Sequence, residues 1–429
     1  MFKFSFEPFV NRKILFLAYY FPPLGMGGTQ RVAKWSKYLS AAGWEVTVVT
    51  VKPIIYYEQD KSLLEELRDV KILRAGSLDP ARLFYLLGKK SGPSQAQQRG
   101  LGNLLYWFLL PDSRVLWAPF AAWRAWKEIR KHKIPFVLSS GPPHSAHLVG
   151  WLLSRLMNIR WVADFRDTWL LDEATQAPTV VHRFLHRKLE RLITRQAHLL
   201  TAVSEGLLKK LEQTGERKAG TSFYIPNGYD PEDFPAATPQ AHERFELTFV
   251  GSISAYTIPQ TFLLGFKHFV DTALLTPAEV RLNFVGADLT GEFLSWVKEN
   301  DLESYLNWRG YVSHEEALAS FQNADVLIYI VTAGVGDTII PSKTFEYLAA
   351  KKPVLAIGEK IEGMRILLEH AACRYCAFHA IDDLARSLLA FYAEFHHHTL
   401  PAAPAHAEQF SRAFQAEQLA ALLRNDRAT

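Results

Sequence analysis

The stretch "PSKTFEYLAA" (341–350) places a lysine and a glutamate at the start of a short apolar helix. Pro341 and Ser342 suit a helix start, so Lys343 and Glu346 lie on one face of the first turns. A lysine beside the free N–H groups of a helix N-terminus can bind an anion such as a diphosphate. A carboxylate nearby can accept two hydrogen bonds from a ribose diol. The alternative is a glutamate that only stabilises the helix, by about 0.3–1 kcal/mol.

Two turns in the first half of the chain follow predicted strands and precede predicted helices. One contains Gly27 and Gly28 in "GMGG", where glycines let the backbone approach a ligand. The other is "SSGPPH", which ends with His144 at the mouth of a helix. Ligands of open α/β sheets bind at the carboxyl ends of the strands, so we predict both turns as site segments. The alternatives are a turn without a ligand and a structural histidine, and His147 is predicted to pack.

Charged residues also follow the strand "RWVADF" in the segment "DFRDTW". Asp164, Arg166 and Asp167 would lie at the same edge of the sheet as His144. They could bind the hydroxyl groups of an acceptor, act as a base or hold a metal. The alternative is an Asp–Arg ion pair that fixes the loop.

The remaining histidines and cysteines lack the spacing of a metal site. His182 and His186 are four residues apart, but the glutamate of H-E-x-x-H is missing. The histidines of "EFHHHT" have no acidic partner pattern, and we predict surface positions for all five. Cys373 and Cys376 form a single C-x-x-C without a second pair, which favours two buried or half-buried cysteines in a strand.

These candidates must be positioned by an alternation of apolar strands and amphipathic helices that runs through the 429 residues. "KILFLAYY", a helix from Thr29 to Ala42 and "EVTVVTV" form a first βαβ unit. The pattern stops at "PEDFPAATPQ" and restarts with "LTFVG". We predict two tandem Rossmann-like, doubly wound α/β domains that face a cleft. Residues 1–230 form the first, 231–403 the second, and 404–429 a last helix that packs back toward the first domain.

Charge is distributed unevenly although the net charge is only +4. Residues 1–200 hold 29 Lys and Arg against 15 Asp and Glu, whereas residues 201–429 hold 19 against 29. A basic first half suits an anionic partner such as a phospholipid surface or a lipid-linked diphosphate. No nucleic-acid recognition motif accompanies the charge. No signal peptide or membrane span is predicted, which favours a cytoplasmic protein.

The segment "LLYWFLLPDSRVLWAPFAAWRAWKEIRKHK" is rich in tryptophan and basic residues. Aromatic residues interleaved with Lys and Arg are typical of a membrane interface. The alternative is a helix that packs through its tryptophan side and exposes its basic side.

Several segments together resemble the family-4 retaining glycosyltransferases of the GT-B fold. "YYFPPLGMGGTQRVAKWSKYLSAAGWEVTVVT" is similar to that family's opening strand, glycine loop and first helix. "SSGPPHSAHLVG" and "WVADFRDTW" resemble a subgroup of bacterial surface-polysaccharide and lipopolysaccharide biosynthesis. "IPNGYD", "GYVSHEEALASFQNADVLIYI" and "PSKTFEYLAAKKPVLA" resemble the segment near the hinge and the nucleotide-binding domain.

The resemblance implies roles for particular residues. Glu346 matches the second of two family glutamates and would bind ribose, whereas the first falls at Thr338, with Asp337 one position away. The segment that begins with Gly251 and Ser252 lacks the family's Arg and Lys, so Lys343 would supply the positive charge for the diphosphate, with Ser342 beside it. His144 would contact the donor sugar or help position the acceptor, with Asp164 as reserve and Arg166 and Asp167 on the acceptor side.

The function predicted in this way is a transfer, with retention, from a UDP-sugar to a lipid-linked or polysaccharide precursor. No cofactor is expected, because the nucleotide-sugar is a substrate, and no metal, because fixed protein charge can neutralise the leaving group and no D-x-D motif occurs. Peripheral contact with an anionic inner membrane face is a further expectation. Two alternatives stay open: a nucleotide-sugar epimerase, and a catalytically silent GT-B subunit that partners another glycosyltransferase.

Overall fold

The computed structural model describes residues 11–25, 27–56, 59–60, 62–88, 108–170, 177, 179–234, 243–332, 338, 340–401 and 407–425. The chain divides into two compact units. The first unit comprises residues 1–226 and 412–429, and the second comprises residues 227–411. None of the helices in the described ranges is long and apolar enough to cross a membrane.

The first unit is built on a seven-stranded parallel sheet with strand order β3-β2-β1-β4-β5-β6-β7. The strands are β1 Lys13–Leu17, β2 Glu45–Val51, β3 Lys71–Ala75, β4 Phe136–Gly141, β5 Arg160–Phe165, β6 Leu199–Ala202 and β7 Ser222–Tyr224. The helices are α1 Gly27–Ala41, α2 Ser62–Glu65, α3 Pro80–Leu86, α4 Ala118–His132, α5 Ser145–Leu156, α6 Val180–Gln196 and α7 Glu205–Gly215.

Strands β1, β4 and β5 form the centre of this sheet, and almost every residue in them is buried. Such strands carry apolar residues on both faces because helices cover both sides of a parallel sheet. One core lies between the sheet and helices α4, α5, α6 and α7. A second core lies on the opposite face, beneath α1. The order of the strands reverses between β1 and β4, which is where doubly wound sheets bind ligands.

The second unit repeats this architecture with a six-stranded parallel sheet of order β10-β9-β8-β11-β12-β13. Its strands are β8 Phe245–Val250, β9 Val280–Val285, β10 Leu306–Gly310, β11 Val326–Val331, β12 Val354–Gly358 and β13 Cys373–Cys376. Its helices are α8 Gln260–Ala273, α9 Phe293–Glu299, α10 His314–Gln322, α11 Lys343–Ala350, α12 Glu362–His370 and α13 Ile381–His396. The predicted class of two doubly wound α/β domains is therefore confirmed.

The last helix, α14 (Arg412–Asn425), belongs to the first unit and packs against α1. Its residues Leu419 and Leu423 are fully buried in the core that also contains Trp35 of α1. The unit boundary falls after Pro226, a few residues before the predicted 230. The backbone N–H of Tyr229 already donates to the carbonyl of Phe410, 3.2 Å away in the second unit.

Several local predictions can be compared with the structure. Ser204 caps α7, and Ser313 and Glu316 form a capping box at the start of α10. The predicted surface position of His186 is wrong, because only 1% of this residue is exposed and its ring accepts a hydrogen bond from Trp169 Nε1.

The helix of the Trp-rich segment, α4, packs mainly through small side chains, and only Trp126 of its two tryptophans packs against the core. Its buried face consists of Ala121, Ala125 and Ile129, whereas Trp123 is 57% exposed. Small alanines allow the helix to approach the sheet closely. Trp123 and Phe120 are largely outside this contact, at 57% and 40% exposure.

Candidate functional site

A cavity of about 190 Å³ lies within the first unit at the carboxyl ends of β1, β4 and β5. It is therefore located where the strand order reverses. Its lining combines aromatic rings, proline rings, hydroxyl groups, one carboxylate and one guanidinium group. The lining residues are Tyr20, Pro111, Asp112, Ser113, Arg114, Pro142, Pro143, His144, Thr168 and Trp169.

His144 lies in this lining, at the N-cap position of α5, as the sequence predicts. Its ring stacks on Trp169 with 4.6 Å between the ring centroids. Nε2 lies 3.2 Å from the carbonyl of Thr168, and because a carbonyl can only accept, Nε2 carries the proton. Nδ1 then holds a lone pair, and it is buried without a hydrogen-bond partner among the described residues. Burial lowers the pKa of His144 to about 4, so the imidazole is neutral at pH 7.

His147 packs behind His144, as predicted. Its Nδ1 lies 2.8 Å from the hydroxyl of Ser139, which also accepts a hydrogen bond from the indole of Trp161. A Cβ at Gly141 would lie 2.6 Å from His147 Nε2 and 3.0 Å from His144 Nδ1. Only glycine therefore leaves room for the two imidazoles.

Asp164 is fully buried and does not line the cavity. It forms an ion pair with Arg31 of α1, with 2.9 Å between Oδ1 and Nη2. The hydroxyl groups of Ser140 and Thr201 each donate to the same carboxylate at 2.7 Å. Arg31 also donates to the carbonyls of Ile225 and Pro226, the last residues before the second unit. Asp164 therefore forms an Asp–Arg ion pair, but its partner is Arg31 of α1 and not the arginine of its own loop.

Arg166 joins the turns that follow three strands. Its guanidinium group donates to the carbonyls of Gly28 and Pro142. Burial lowers its pKa, although Asp164 and Asp167 act in the opposite direction. Burial raises the pKa of Asp167 to about 6, against the effect of Arg166, so this carboxyl titrates close to neutral pH. Gly27 is the first residue of α1, and Met26 lies outside the described residues.

Lys343 begins helix α11 in the second unit, at the carboxyl edge of its sheet. Its ammonium group lies over the ring of Phe249 at 4.5 Å and over Tyr329 at 5.5 Å. It would be 3.4 Å from a Cβ at Gly251, the residue that follows β8. Burial lowers the pKa of Lys343 to about 8, against the raising effect of Glu346. The side chain is therefore mostly protonated at neutral pH.

The turn after β8 leaves no space for side chains. Gly251 has a φ of +138°, a conformation that favours glycine. Gly286 after β9 has a φ of +144°, and a Cβ there would lie 2.1 Å from the carbonyl oxygen of Gly251. The side-chain-free backbone of Gly251 and the half-buried ammonium group of Lys343 therefore lie next to each other at this edge. Ser252 continues the turn, and its carbonyl accepts a hydrogen bond from Thr257.

Helix α11 is held in place by hydroxyl groups on its buried face. Tyr347 donates to the carbonyl of Ile328 at 2.9 Å and accepts from the N–H of Val250 at 3.2 Å. The Tyr329 and Thr344 hydroxyls lie 2.9 Å apart. Because these contacts tie α11 to the end of β8 and to the middle of β11, they fix the position of the helix.

The other predicted residues of this edge are located as follows. Ser342 stands at the N-cap with a helical backbone and makes no side-chain cap, so it does not close the helix N-terminus. Glu346 is half-buried one turn into the helix. Thr338 is half-buried, whereas Asp337 lies outside the described residues.

Sequence reasoning missed Arg31, Asp112, Arg114 and Tyr347. Asp112 is half-buried, and its Oδ2 accepts from the N–H of Ser145 at 3.0 Å, so it occupies the start of α5. Arg114 pairs with the fully buried Asp79. A buried arginine needs an acidic partner. Arg31 on the core-facing side of α1 therefore indicates a buried carboxylate, which is that of Asp164. Nothing in the local sequence links Asp112 to α5, which begins 33 residues later.

The comparisons with known proteins agree with this architecture. A family model described as "Glycosyl transferase 4-like domain" matches residues 26–228. A search of curated proteins finds no match.

Solved structures match nearly the whole chain. A glycosyltransferase from Rickettsia africae has a TM-score of 0.65 at 14% identity, covering 97% of this chain and 99% of that one. The sucrose-phosphate synthase of Thermosynechococcus elongatus has a TM-score of 0.62 at 15% identity, covering 97% and 99%. HepE of Anabaena, solved in complex with UDP, has a TM-score of 0.60 at 16% identity, covering 96% and 100%. At these identities the likeness establishes the fold, which is the GT-B fold of two Rossmann-like domains.

Proposed function

We propose that this protein is a glycosyltransferase that takes its sugar from a nucleoside-diphosphate donor, with UDP as the nucleotide. The observation that carries the proposal is the position of Lys343 at the start of α11, beside the bare backbone of Gly251 and one turn before Glu346. The structural neighbour HepE, solved with UDP, supports the choice of nucleotide. The glycosyl transferase 4-like domain in the first unit supports the reaction class.

In this proposal the diphosphate lies at the N-terminus of α11. The ammonium group of Lys343 and the N–H groups of the first turn would stabilise the negative charge that develops as the sugar–phosphate bond breaks. The aromatic rings under Lys343 exclude water, which strengthens this interaction. Glu346 would accept hydrogen bonds from the ribose hydroxyls. Because Lys343 supplies the positive charge, we propose that no metal is needed and that no cofactor takes part.

The acceptor is assigned to the cavity of the first unit. Trp169 and His144 offer stacked rings against which a sugar can lie, and the carboxylate, guanidinium and hydroxyl groups of the lining can bind its hydroxyls. His144, neutral at pH 7, can accept a hydrogen bond through Nδ1 and would position a sugar hydroxyl. Asp167 and Arg166 would contribute from the adjacent turn, whereas Asp164 would act through Arg31. We also propose that the transfer retains the anomeric configuration, because the sequence resembles the family-4 retaining glycosyltransferases.

We further assign the acceptor to cell-surface glycan biosynthesis, as a lipid-linked or polysaccharide precursor that is met at the cytoplasmic face of the inner membrane. The excess of Lys and Arg over Asp and Glu in residues 1–200 supports an anionic surface as partner.

The test is thermal unfolding with UDP, GDP, ADP or NAD, each with and without EDTA. At a hundredfold excess over the dissociation constant, bound ligand adds about 2.7 kcal/mol of stability. We expect stabilisation by UDP that survives EDTA and is lost in Glu346→Ala. Glu369→Ala, at a side chain that is 71% exposed on α12, is the matched control and should behave like the wild type. Stabilisation by NAD alone, or by none of the nucleotides, would contradict the proposal.

A further inference from the structure

We infer that the acceptor enters the cavity of the first unit with one uncharged terminal sugar ring, and that Asp112 selects this ring by accepting hydrogen bonds from its hydroxyl groups. The inference rests on the proposed function, because it concerns the acceptor of that reaction. It assigns Asp112 as a specificity-determining residue, and it excludes acceptors whose terminal ring carries a carboxylate or a phosphate.

Asp112 is held in place by the starts of two helices. It is the N-cap of the short 3-10 helix Ser113–Trp117, where its Oδ1 accepts from the backbone N–H of Arg114 at 3.0 Å. Its Oδ2 accepts from the N–H of Ser145 at the start of α5, also at 3.0 Å. An ionised carboxylate has about four lone-pair sites, so about two remain for a ligand. The carboxylate is therefore fixed in position and can still accept hydrogen bonds.

Asp112 and its neighbour Arg114 differ in how their charges are compensated. The guanidinium group of Arg114 lies 3.2 Å from the carboxylate of Asp79, which is fully buried and also accepts from the hydroxyl of Tyr19 at 2.7 Å. Asp112 forms no ion pair with any residue in the described ranges. Burial raises its pKa, against the N–H groups of Ser145 and Arg114 and the weaker effect of the Arg114 charge. The carboxylate of Asp112 therefore leaves a negative charge in the cavity.

Two groups of the cavity lining can only accept hydrogen bonds. They are the carboxylate of Asp112 and the Nδ1 of His144, whose proton is on Nε2. A partly desolvated acceptor is stabilised by a ligand that donates, which a sugar hydroxyl does and an ionised carboxylate cannot do. A second negative charge beside Asp112 would also be repelled, more strongly than in water because the local dielectric constant is lower. The lining therefore favours a ring whose substituents are hydroxyl groups.

The size of the cavity limits how much of the acceptor enters it. Its volume of about 190 Å³ is smaller than the roughly 300–1,000 Å³ of pockets that enclose a drug-sized ligand. A terminal ring can therefore enter, whereas the rest of a longer precursor stays outside. Ser113 and Arg114 line the cavity beside Asp112 and can donate to oxygens of the same ring. Adjacent donors and acceptors suit neighbouring hydroxyl groups, because each hydroxyl can both donate and accept.

The experiment measures the binding of simple glycosides to the full chain by saturation-transfer NMR titration. The ligands are the methyl glycosides of glucose and galactose and the matching uronides, in which a carboxylate replaces the hydroxymethyl group. We expect the wild type to bind at least one neutral glycoside and to bind the matching uronide at least about tenfold more weakly.

Variants test whether Asp112 causes this preference. Asp112→Asn removes the charge and keeps a side chain that can cap a helix, so the preference for the neutral glycoside should fall to about threefold or less. Asp230→Asn is the matched control, because Asp230 also caps a short 3-10 helix, Pro231–Asp233, and is 3% exposed in the second unit. This control should keep the preference of the wild type. Asp112→Ser, a second uncharged cap, replaces Asp112→Asn if that protein does not fold.

Four results would overturn the inference: no binding of either neutral glycoside, equal binding of glycoside and uronide, an unchanged preference in the Asp112 variant, or an equal loss of preference in Asp230→Asn. UDP stabilisation is measured on the same proteins and should be equal in all of them, because the donor is assigned to the second unit. If UDP fails to stabilise the wild type while the preference that depends on Asp112 persists, the proposed donor fails and the inference about the cavity stands. If UDP stabilises but the preference is absent, only the inference about the cavity fails.

Discussion

The two units use the carboxyl edges of their sheets in different ways. In the first unit, ionic groups at this edge are satisfied by the protein itself: Arg31 pairs with Asp164, Arg166 is held by backbone carbonyls, and burial keeps His144 neutral. In the second unit, Lys343 keeps its charge at neutral pH and lies against Gly251, which has no side chain.

The difference follows from what each edge would bind. In the first unit, pairing of the charged side chains with one another leaves little net charge at this edge. The groups that remain available are aromatic faces and hydrogen-bonding groups, which suit an uncharged polyhydroxyl ligand. A cation at a helix N-terminus beside bare backbone leaves a positive field, which suits a diphosphate. The same doubly wound architecture can therefore present a neutral or a cationic surface, depending on where a few charged residues stand.

The largest expected effect comes from breaking the internal pairing in the first unit. Asp164→Ala leaves the guanidinium of Arg31 buried without its carboxylate, so we expect the free energy of unfolding in urea to fall by about 3–5 kcal/mol. Asp164→Asn keeps an oxygen that can accept hydrogen bonds from Ser140 and Thr201, so its free energy of unfolding should fall less. Asp383→Ala breaks the exposed pair with Arg386 and, as control, should change stability by about 0–1 kcal/mol. A loss in Asp164→Ala no larger than in this control would contradict an internally paired edge.

A smaller effect is expected from His144→Gln, which removes the ring that stacks on Trp169. Turnover with a UDP-sugar and an acceptor should fall about tenfold, equivalent to about 1.4 kcal/mol of transition-state stabilisation. His132→Gln, at a half-exposed histidine near the end of α4, is the matched control and should leave turnover unchanged. Near-normal turnover of a folded His144→Gln protein would remove His144 from the reaction.

The pH dependence of stability gives His144 a second readout. Its pKa is about 4 when folded and near 6.5 when unfolded, so the unfolded chain binds the proton first as the pH falls. The stability of the wild type should be complete above pH 6.5 and decrease as the pH falls toward 4. His144→Gln should lose less stability over this window. If the urea midpoints of the wild type and of His144→Gln fall by the same amount between pH 6.5 and pH 4, the result would contradict a neutral buried imidazole.

The smallest effect concerns the charge of Lys343 in the second unit. Its pKa of about 8 predicts that UDP affinity falls by roughly tenfold or less between pH 7 and pH 9, as the ammonium group loses its proton. Lys343→Arg should keep a flat profile over this range, because a guanidinium group stays protonated. Parallel pH profiles for the two proteins, measured by calorimetry, would show that another group controls binding.

Much of the fold could be predicted from apolar runs. Strands β1, β2, β4 and β5 of the first unit and β8 of the second were recognisable as apolar runs, because nearly all of their residues are buried. Two strands were missed, β3 "KILRA" and β10 "LNWRG", which lie at the edges of the sheets and contain polar or charged residues. Polar and charged residues interrupt these short segments, so their sequences carry a weaker apolar signal than a buried strand does.

The candidate site was predictable where the signal is local and hidden where it depends on tertiary contacts. Lys343 and His144 could be placed because each stands at the start of a helix that follows a strand. The role of Asp164 could not, because its partner Arg31 is 133 residues away in the chain. Trp123 was ambiguous because composition does not reveal which face of α4 the alanines occupy.

The central claim is that Lys343 at the start of α11 holds the diphosphate of the donor. The most direct measurement is calorimetric binding of UDP and of uridine to the wild type and to Lys343→Met, which keeps the length of the side chain without its charge. Loss of a charge-assisted hydrogen bond of about 1.5–3 kcal/mol predicts that UDP binds roughly 10- to 150-fold more weakly, whereas uridine affinity is unchanged. Equal losses for UDP and uridine, or no loss for either, would contradict the account.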